Sequence, residues 1–206
     1  MLIIIIGPDG SGKTTIANGI QKEMRAKGVK AHHLAMNFEI IPKLRDIINP
    51  FRKNKVVSTH YEGEHYGGMK DKPNSKVKGI VLTTWYTLDY FLGCFKLAKF
   101  SIDKEVVIFA RYFYDYFFQR AHINTPTLYL KFLEFFIPTP DYIFTIKRSP
   151  EDIFNLKPEL SISEIKRQQD ILERLLLSKR SSYVIDGSSG VDSTIEKIMN
   201  IVESNR

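Results

Sequence analysis

Leu2-Ile3-Ile4-Ile5-Ile6-Gly7-Pro8-Asp9-Gly10-Ser11-Gly12-Lys13-Thr14 joins an unbroken apolar run to a glycine-rich turn. The run shows no polar alternation, so it reads as a strand buried on both faces of a parallel sheet. From Gly7 onward the residues match G-x-x-x-x-G-K-[ST], the phosphate-cradling P-loop, in the strand-turn-helix setting that the motif requires. Gly7, Gly10 and Gly12 let the backbone bend tightly enough for successive N–H groups to face one anion. Lys13 brings a cation to the β- and γ-phosphates, and the Thr14 hydroxyl suits a Mg²⁺ ligand. The following helix points the positive end of its dipole at the same place. Gly7, Asp9, Gly10, Ser11, Gly12, Lys13, Thr14 and Thr15 are therefore the expected ATP-binding set, with Lys13 catalytic and Thr14 on the metal.

Outward from this turn, strands and helices alternate. Thr14–Lys27 predicts a helix with Ile16, Ile20 and Met24 on one face and Gly28 as its stop. Val29–Ala35, Glu105–Ala110, Tyr142–Lys147 and Ser182–Asp186 predict four more strands. Ile80–Phe100 is apolar and aromatic all round, as in a helix that is buried or covered by a partner subunit. Thr125-Pro126 predicts a helix start and Pro138 its end. Ser161-x-x-Glu164 and Ser193-x-x-Glu196 predict capping boxes for two later helices. Residues 50–79 are polar and basic and read as a mobile excursion on the acceptor side. The expected fold is α/β in three layers, a five-stranded parallel sheet with helices on both faces, in one domain spanning 1–206. Ligands are expected at the carboxyl ends of the strands, where the P-loop lies.

The 206 residues carry a net charge of +7, with 43% hydrophobic and 26% charged residues. That balance fits a globular protein that handles small polyanions, and by itself also fits a weak nucleic-acid binder. The single cysteine, Cys94, excludes an internal disulfide and points to a reducing compartment. The opening apolar run is too short for a signal sequence or a membrane span, so a cytoplasmic enzyme is expected. The five histidines show no metal-ligand spacing with cysteine, and no G-x-S-x-G elbow is present. The basic stretch 52–78, with Tyr61 and Tyr66, reads as a substrate cover and not as a nucleic-acid surface.

Three further segments accompany the P-loop: Val106-Val107-Ile108-Phe109-Ala110-Arg111-Tyr112, Lys157-Pro158-Glu159-Leu160-Ser161 and Tyr183-Val184-Ile185-Asp186-Gly187. In this order and spacing the chain resembles the thymidylate kinase family of P-loop nucleoside monophosphate kinases, over most of residues 1–203. The resemblance implies a three-layer P-loop kinase that uses ATP and Mg²⁺ and forms a homodimer. It implies transfer of the γ-phosphoryl group to a nucleoside monophosphate, dTMP or a related deoxypyrimidine nucleotide. On the same basis Asp9 contacts the acceptor sugar, Arg111 grips the acceptor phosphate, and Trp85, Tyr86 and Tyr90 line the acceptor base. Lys157 falls in the lid, residues 148–165. The chain departs from the family at three points. Ala110 stands where the family has aspartate, and Leu156 where relatives carry a lid arginine. The base-pairing arginine has no counterpart, Asp89 and Tyr90 being the nearest residues. These departures leave two alternatives open, a nucleotide-binding module with weak or lost transfer activity and a kinase for a non-nucleotide acceptor.

Overall fold

Five strands, all parallel, stand in the order β2-β3-β1-β4-β5: β1 Leu2–Ile6, β2 Ala31–Leu34, β3 Val106–Phe109, β4 Tyr142–Lys147 and β5 Ser182–Asp186. The computed structural model describes residues 1–44, 75–119, 123–177 and 179–205. All five β1 residues are buried, because neighbours flank it on both edges and helices cover both faces. Leu2, Ile4 and Ile6 face one core layer with Tyr90, Phe109, Tyr112 and Leu172. Ile3 and Ile5 face the other, with Ile16, Ile20, Phe144 and Ile198. The period-2 alternation of a strand thus explains why a uniformly apolar run is needed at the centre of three layers.

From β1 the chain moves to β3 and β2 on one side and to β4 and β5 on the other, which makes β1 the switch point of the sheet. A crevice opens at the carboxyl ends of strands at such a point, and the P-loop grows directly out of β1 into it. Helix α1, Lys13–Ala26, follows and packs Ile16, Ala17, Ile20 and Met24 against the second layer. It stops at Gly28, whose φ of +77° and N–H bond to the Arg25 carbonyl complete the turn.

Helix α2, Lys76–Ile102, runs 27 residues, about 40 Å at 1.5 Å per residue. Ser75 caps it by accepting from the Lys78 N–H. The expected excursion 50–79 lies outside the described residues as far as 74, and its last residues are this cap and first turn. The helix is not apolar on its buried side. Gly79, Thr83, Thr87, Asp89, Tyr90 and Gly93 face inward, while Val81, Leu88, Phe91 and Phe95 are exposed. Small inward residues let neighbours approach closely: a Cβ on Gly93 would lie 2.1 Å from the Phe38 ring.

Among the described residues the further helices are α3 Asp115–Phe118, α4 Thr127–Leu133 with a 3₁₀ turn at Glu134–Phe136, α5 Pro150–Leu156, α6 Ile162–Leu176 and α7 Val191–Ser204. β2 and β3 are shorter than expected, since Val29 and Glu105 lie before the paired register and Ala110 after it. α4 begins without a threonine cap: Pro126 occupies the N-cap, and the Thr125 hydroxyl meets that of Thr83 at 3.0 Å. Ser161 does cap α6, accepting from the Glu164 N–H. Ser193 caps nothing, because Gly190, at φ +99° and three residues before it, is already the N-cap of α7.

Candidate active site

The turn after β1 is held open by its glycines. Gly7, Gly10 and Gly12 take φ values of +153°, +91° and +89°, a region that side chains disfavour. Gly12 is the N-cap of α1, and the Ser11 N–H closes on the Pro8 carbonyl at 3.2 Å. Among the described residues, the N–H groups of Gly10, Gly12, Lys13 and Thr14 have no acceptor, which leaves the turn with a set of free donors. The Ser11 hydroxyl, fully buried, also lacks a partner there. Uncompensated donors at this density are the chemistry of an anion site.

Lys13 is 5% exposed and its Nζ donates to the Pro8 carbonyl at 2.7 Å and to Asp9 Oδ1 at 3.3 Å. Burial pulls its ammonium below the ordinary lysine value; Asp9 and then Asp115 oppose this, and Arg111 adds to it. Arg111, two residues beyond β3, reaches back to the same turn. Its Nη2 pairs with Asp9 Oδ1, its Nη1 donates to Gln119 Oε1 at 3.0 Å, and the buried Asp115 carboxylate lies 3.7 Å from Nη1. Gln119 in turn donates from Nε2 to the Gly7 carbonyl at 3.0 Å. Lys13 and Arg111 are therefore brought together, with Asp9 between them, as two cations over one cradle. Opposed carboxylates, Asp9 and Asp115, balance them. Thr14 and Thr15 are exposed on the first turn of α1, beside the cradle.

The other expected residues are distributed differently. Tyr90 is 1% exposed; its hydroxyl donates to the Met36 carbonyl, and its ring meets Phe38, Tyr112 and Phe113 edge-on. It is a core residue and offers no free face to a base. Trp85 Nε1 donates to the Pro42 carbonyl at 3.1 Å, and Tyr86 is half-buried against the first core layer. Asp89, fully buried, accepts from the Phe38, Ile40 and Ile41 N–H groups at 2.7, 2.7 and 3.0 Å. One face of α2 thus anchors the segment after β2.

In the segment expected to be the lid, Lys157 follows α5 and its Nζ pairs with Glu159 at 3.0 Å. A Cβ on Gly10 would touch Ile153 and Lys157 at 3.1 to 3.2 Å, so α5 lies directly on the P-loop. Leu156 is 62% exposed. Arg167 is occupied by both Glu164 oxygens at 2.6 and 2.7 Å and by the Phe118 carbonyl at 3.0 Å. Arg148 sits beside Gly187, its buried Nε without an acceptor among the described residues. Arg120 lies outside them.

Gln119 and Asp115 escape a motif reading. Neither carried a sequence signal: Arg111 lies before the helix that begins at Asp115, so their spacing of four is not a helical turn, and the partner of Gln119 is a backbone carbonyl remote in sequence.

No protein-family model matches the chain. "Probable thymidylate kinase 1" of Saccharolobus solfataricus is 24% identical over 218 residues, covering 99% of this chain and 97% of that protein. Among solved structures, a deoxyadenosine kinase from M. mycoides, described with products dCMP and a flexible dCDP bound, superposes with a TM-score of 0.56. It shares 16% identity, over 99% of this chain and 100% of its own, and the likeness is one of fold. No described helix is long and apolar enough to cross a membrane. With its free-amide cradle at the end of β1, this is a P-loop kinase fold, related weakly but along its whole length to a thymidylate kinase.

Proposed function

We propose that the protein is a phosphotransferase that moves the γ-phosphoryl group of ATP to a nucleoside monophosphate, dTMP or a related deoxypyrimidine nucleotide. The observation that carries this reading is the convergence of Lys13 and Arg111 on Asp9, from two elements, above unpaired P-loop donors. The cradle amides and Lys13 would hold the donor's phosphates, and the Arg111 fork would hold the acceptor's. Bound phosphates would displace Asp9 from one or both cations and leave its carboxylate for the acceptor sugar. Holding the two phosphates in line supplies most of the catalysis such a transfer needs. The relative's name supports a nucleotide acceptor, whereas the neighbour, a nucleoside kinase with dCMP as product, supports only the broader class of nucleoside and nucleotide phosphotransfer.

The residues fit Mg²⁺. Among the described residues no cluster of three His, Cys, Asp or Glu could hold a metal. Mg²⁺ is content with one or two protein oxygens, phosphate oxygens and water, and the exposed Thr14 hydroxyl would be such an oxygen. When bound, the ion supplies charge neutralisation across the phosphate oxygens. Ala110, 2% exposed, gives it no carboxylate.

The reading further takes the protein as a cytoplasmic homodimer. Leu88, Phe91 and Phe95 of α2 are exposed, and a groove of about 400 Å³ between α2 and α4 is lined by Leu88, Phe91, Phe132 and Phe136. A second copy would cover this apolar face.

The exposed Leu156 and the committed Arg167 favour a second reading, a nucleotide-binding module of weak transfer activity. One experiment separates the two. Purified protein with ATP, Mg²⁺ and a panel of monophosphates and nucleosides should release ADP only with a deoxypyrimidine monophosphate, and Lys13→Ala should abolish that release. Tight ATP binding without acceptor-dependent ADP in the parent, and transfer only after Ala110→Asp with Leu156→Arg, would establish the module instead.

A further inference from the structure

We propose that Gln119 is a positioning residue: a bracket that sets the distance between the P-loop and the Arg111 guanidinium. Its single amide spends both ends on the site. Nε2 donates to the Gly7 carbonyl at 3.0 Å and Oε1 accepts from Arg111 Nη1 at 3.0 Å. Gly7 is the first residue of the cradle, and its carbonyl, if turned inward, would present negative charge to a phosphate. Gln119 holds that carbonyl by a donor. The amide is fixed in its turn, because Gln119 closes α3 with its own N–H on the Asp115 carbonyl at 2.9 Å. The second link between Arg111 and the loop, the Asp9 pair, is ionic and is opened when phosphates compete for both cations. The Gln119 link is neutral and uses only Nη1, so it survives ligand binding and leaves the remaining guanidinium donors for an anion. It is thus the contact that keeps Arg111 in register with the donor cradle during the reaction. Misplacement by about 1 Å can cost on the order of 10²-fold in rate.

The kinetic arm of the test rests on the phosphotransfer reading, and the binding arm does not. Inorganic pyrophosphate, which can span the cradle and Arg111, is titrated calorimetrically into the parent, Gln119→Met, Arg111→Met and the double variant. Gln119→Met is expected to weaken pyrophosphate about tenfold when Arg111 is present and less than twofold when it is absent, with the melting temperature near the parental value. In transfer assays Gln119→Met should lower kcat at least tenfold while the KM for ATP stays within threefold. Equal losses in both backgrounds, or no loss in either, would overturn the bracket, as would a parent that does not bind pyrophosphate. A parent that binds pyrophosphate with the predicted coupling and transfers nothing would sink the kinase reading alone.

Discussion

Arg111 illustrates how a single side chain acquires a task from its neighbours. Its guanidinium is about one-third exposed, with Asp9 on one nitrogen and Gln119 on the other. A planar fork can keep one nitrogen on the protein and offer the rest to a phosphate; an ammonium cannot. Arg111→Lys should therefore lower kcat/KM for the acceptor about 30- to 100-fold, roughly 2–3 kcal/mol, while the KM for ATP moves less than threefold. Steady-state kinetics with each substrate varied in turn will check this, and equal damage to both substrates would contradict the assigned role. The P-loop glycines, Lys13 and Thr14 were legible in the sequence because the motif is local and its chemistry fixes residue types at fixed spacing. Gln119 was not legible, since it binds a backbone carbonyl 112 residues away and any residue type at that position would have the same carbonyl to meet.

At the scale of elements, α2 shows where reading by composition stops. Its aromatic and apolar content predicted a helix buried or covered by a partner subunit. Within the single chain it turns glycine, threonine and Asp89 inward and leaves phenylalanines outward, so it is not the buried helix of the first alternative. The cause is the segment after β2, whose backbone N–H groups at Phe38, Ile40 and Ile41 need acceptors inside the fold, and whose Phe38 ring needs the space over Gly93. Asp89 supplies the acceptors, so Tyr90 and Trp85 become anchors for the same segment. β4, β5 and α6 were placed correctly from sequence because strand and cap signals there are uninterrupted. Ser193 failed as a cap because Gly190 bends the chain first. Asp89→Ala should leave three backbone donors without partners and cost about 2–4 kcal/mol. Urea denaturation will measure it, and a loss under 0.5 kcal/mol would contradict the anchoring role.

For the molecule as a whole, two properties follow from surfaces and charge. The outward phenylalanines of α2 should be covered in solution: light scattering is expected to give twice the 23.8 kDa chain mass, and Phe91→Glu with Phe95→Glu should give the monomer. A parent of single-chain mass would refute the pairing. At the amino-terminal edge of the sheet, Glu105 joins β2 to the start of β3. Its Oε2 meets His32 Nε2 at 2.6 Å, and Lys30 Nζ lies 3.3 Å from Oε1. The His32 hydrogen bond, with Lys30, holds its carboxyl below the ordinary value of 4.5 against the cost of burial. A depressed folded-state pKa contributes stability that is complete above the unfolded value and is lost as pH falls through the folded one. The stability gap between parent and Glu105→Gln should accordingly be widest above about pH 5 and close below pH 4.5, as followed by urea midpoints; a gap that widens in acid would refute the clasp. The central claim, that the glycine turn and Arg111 form one transfer site, is tested most directly by following labelled γ-phosphate from ATP. Incubation with dTMP and Mg²⁺ should yield labelled dTDP in the parent and none in Lys13→Ala. Label that stays in ATP or appears only as free phosphate, with dTMP and the other deoxypyrimidine monophosphates alike, would contradict it.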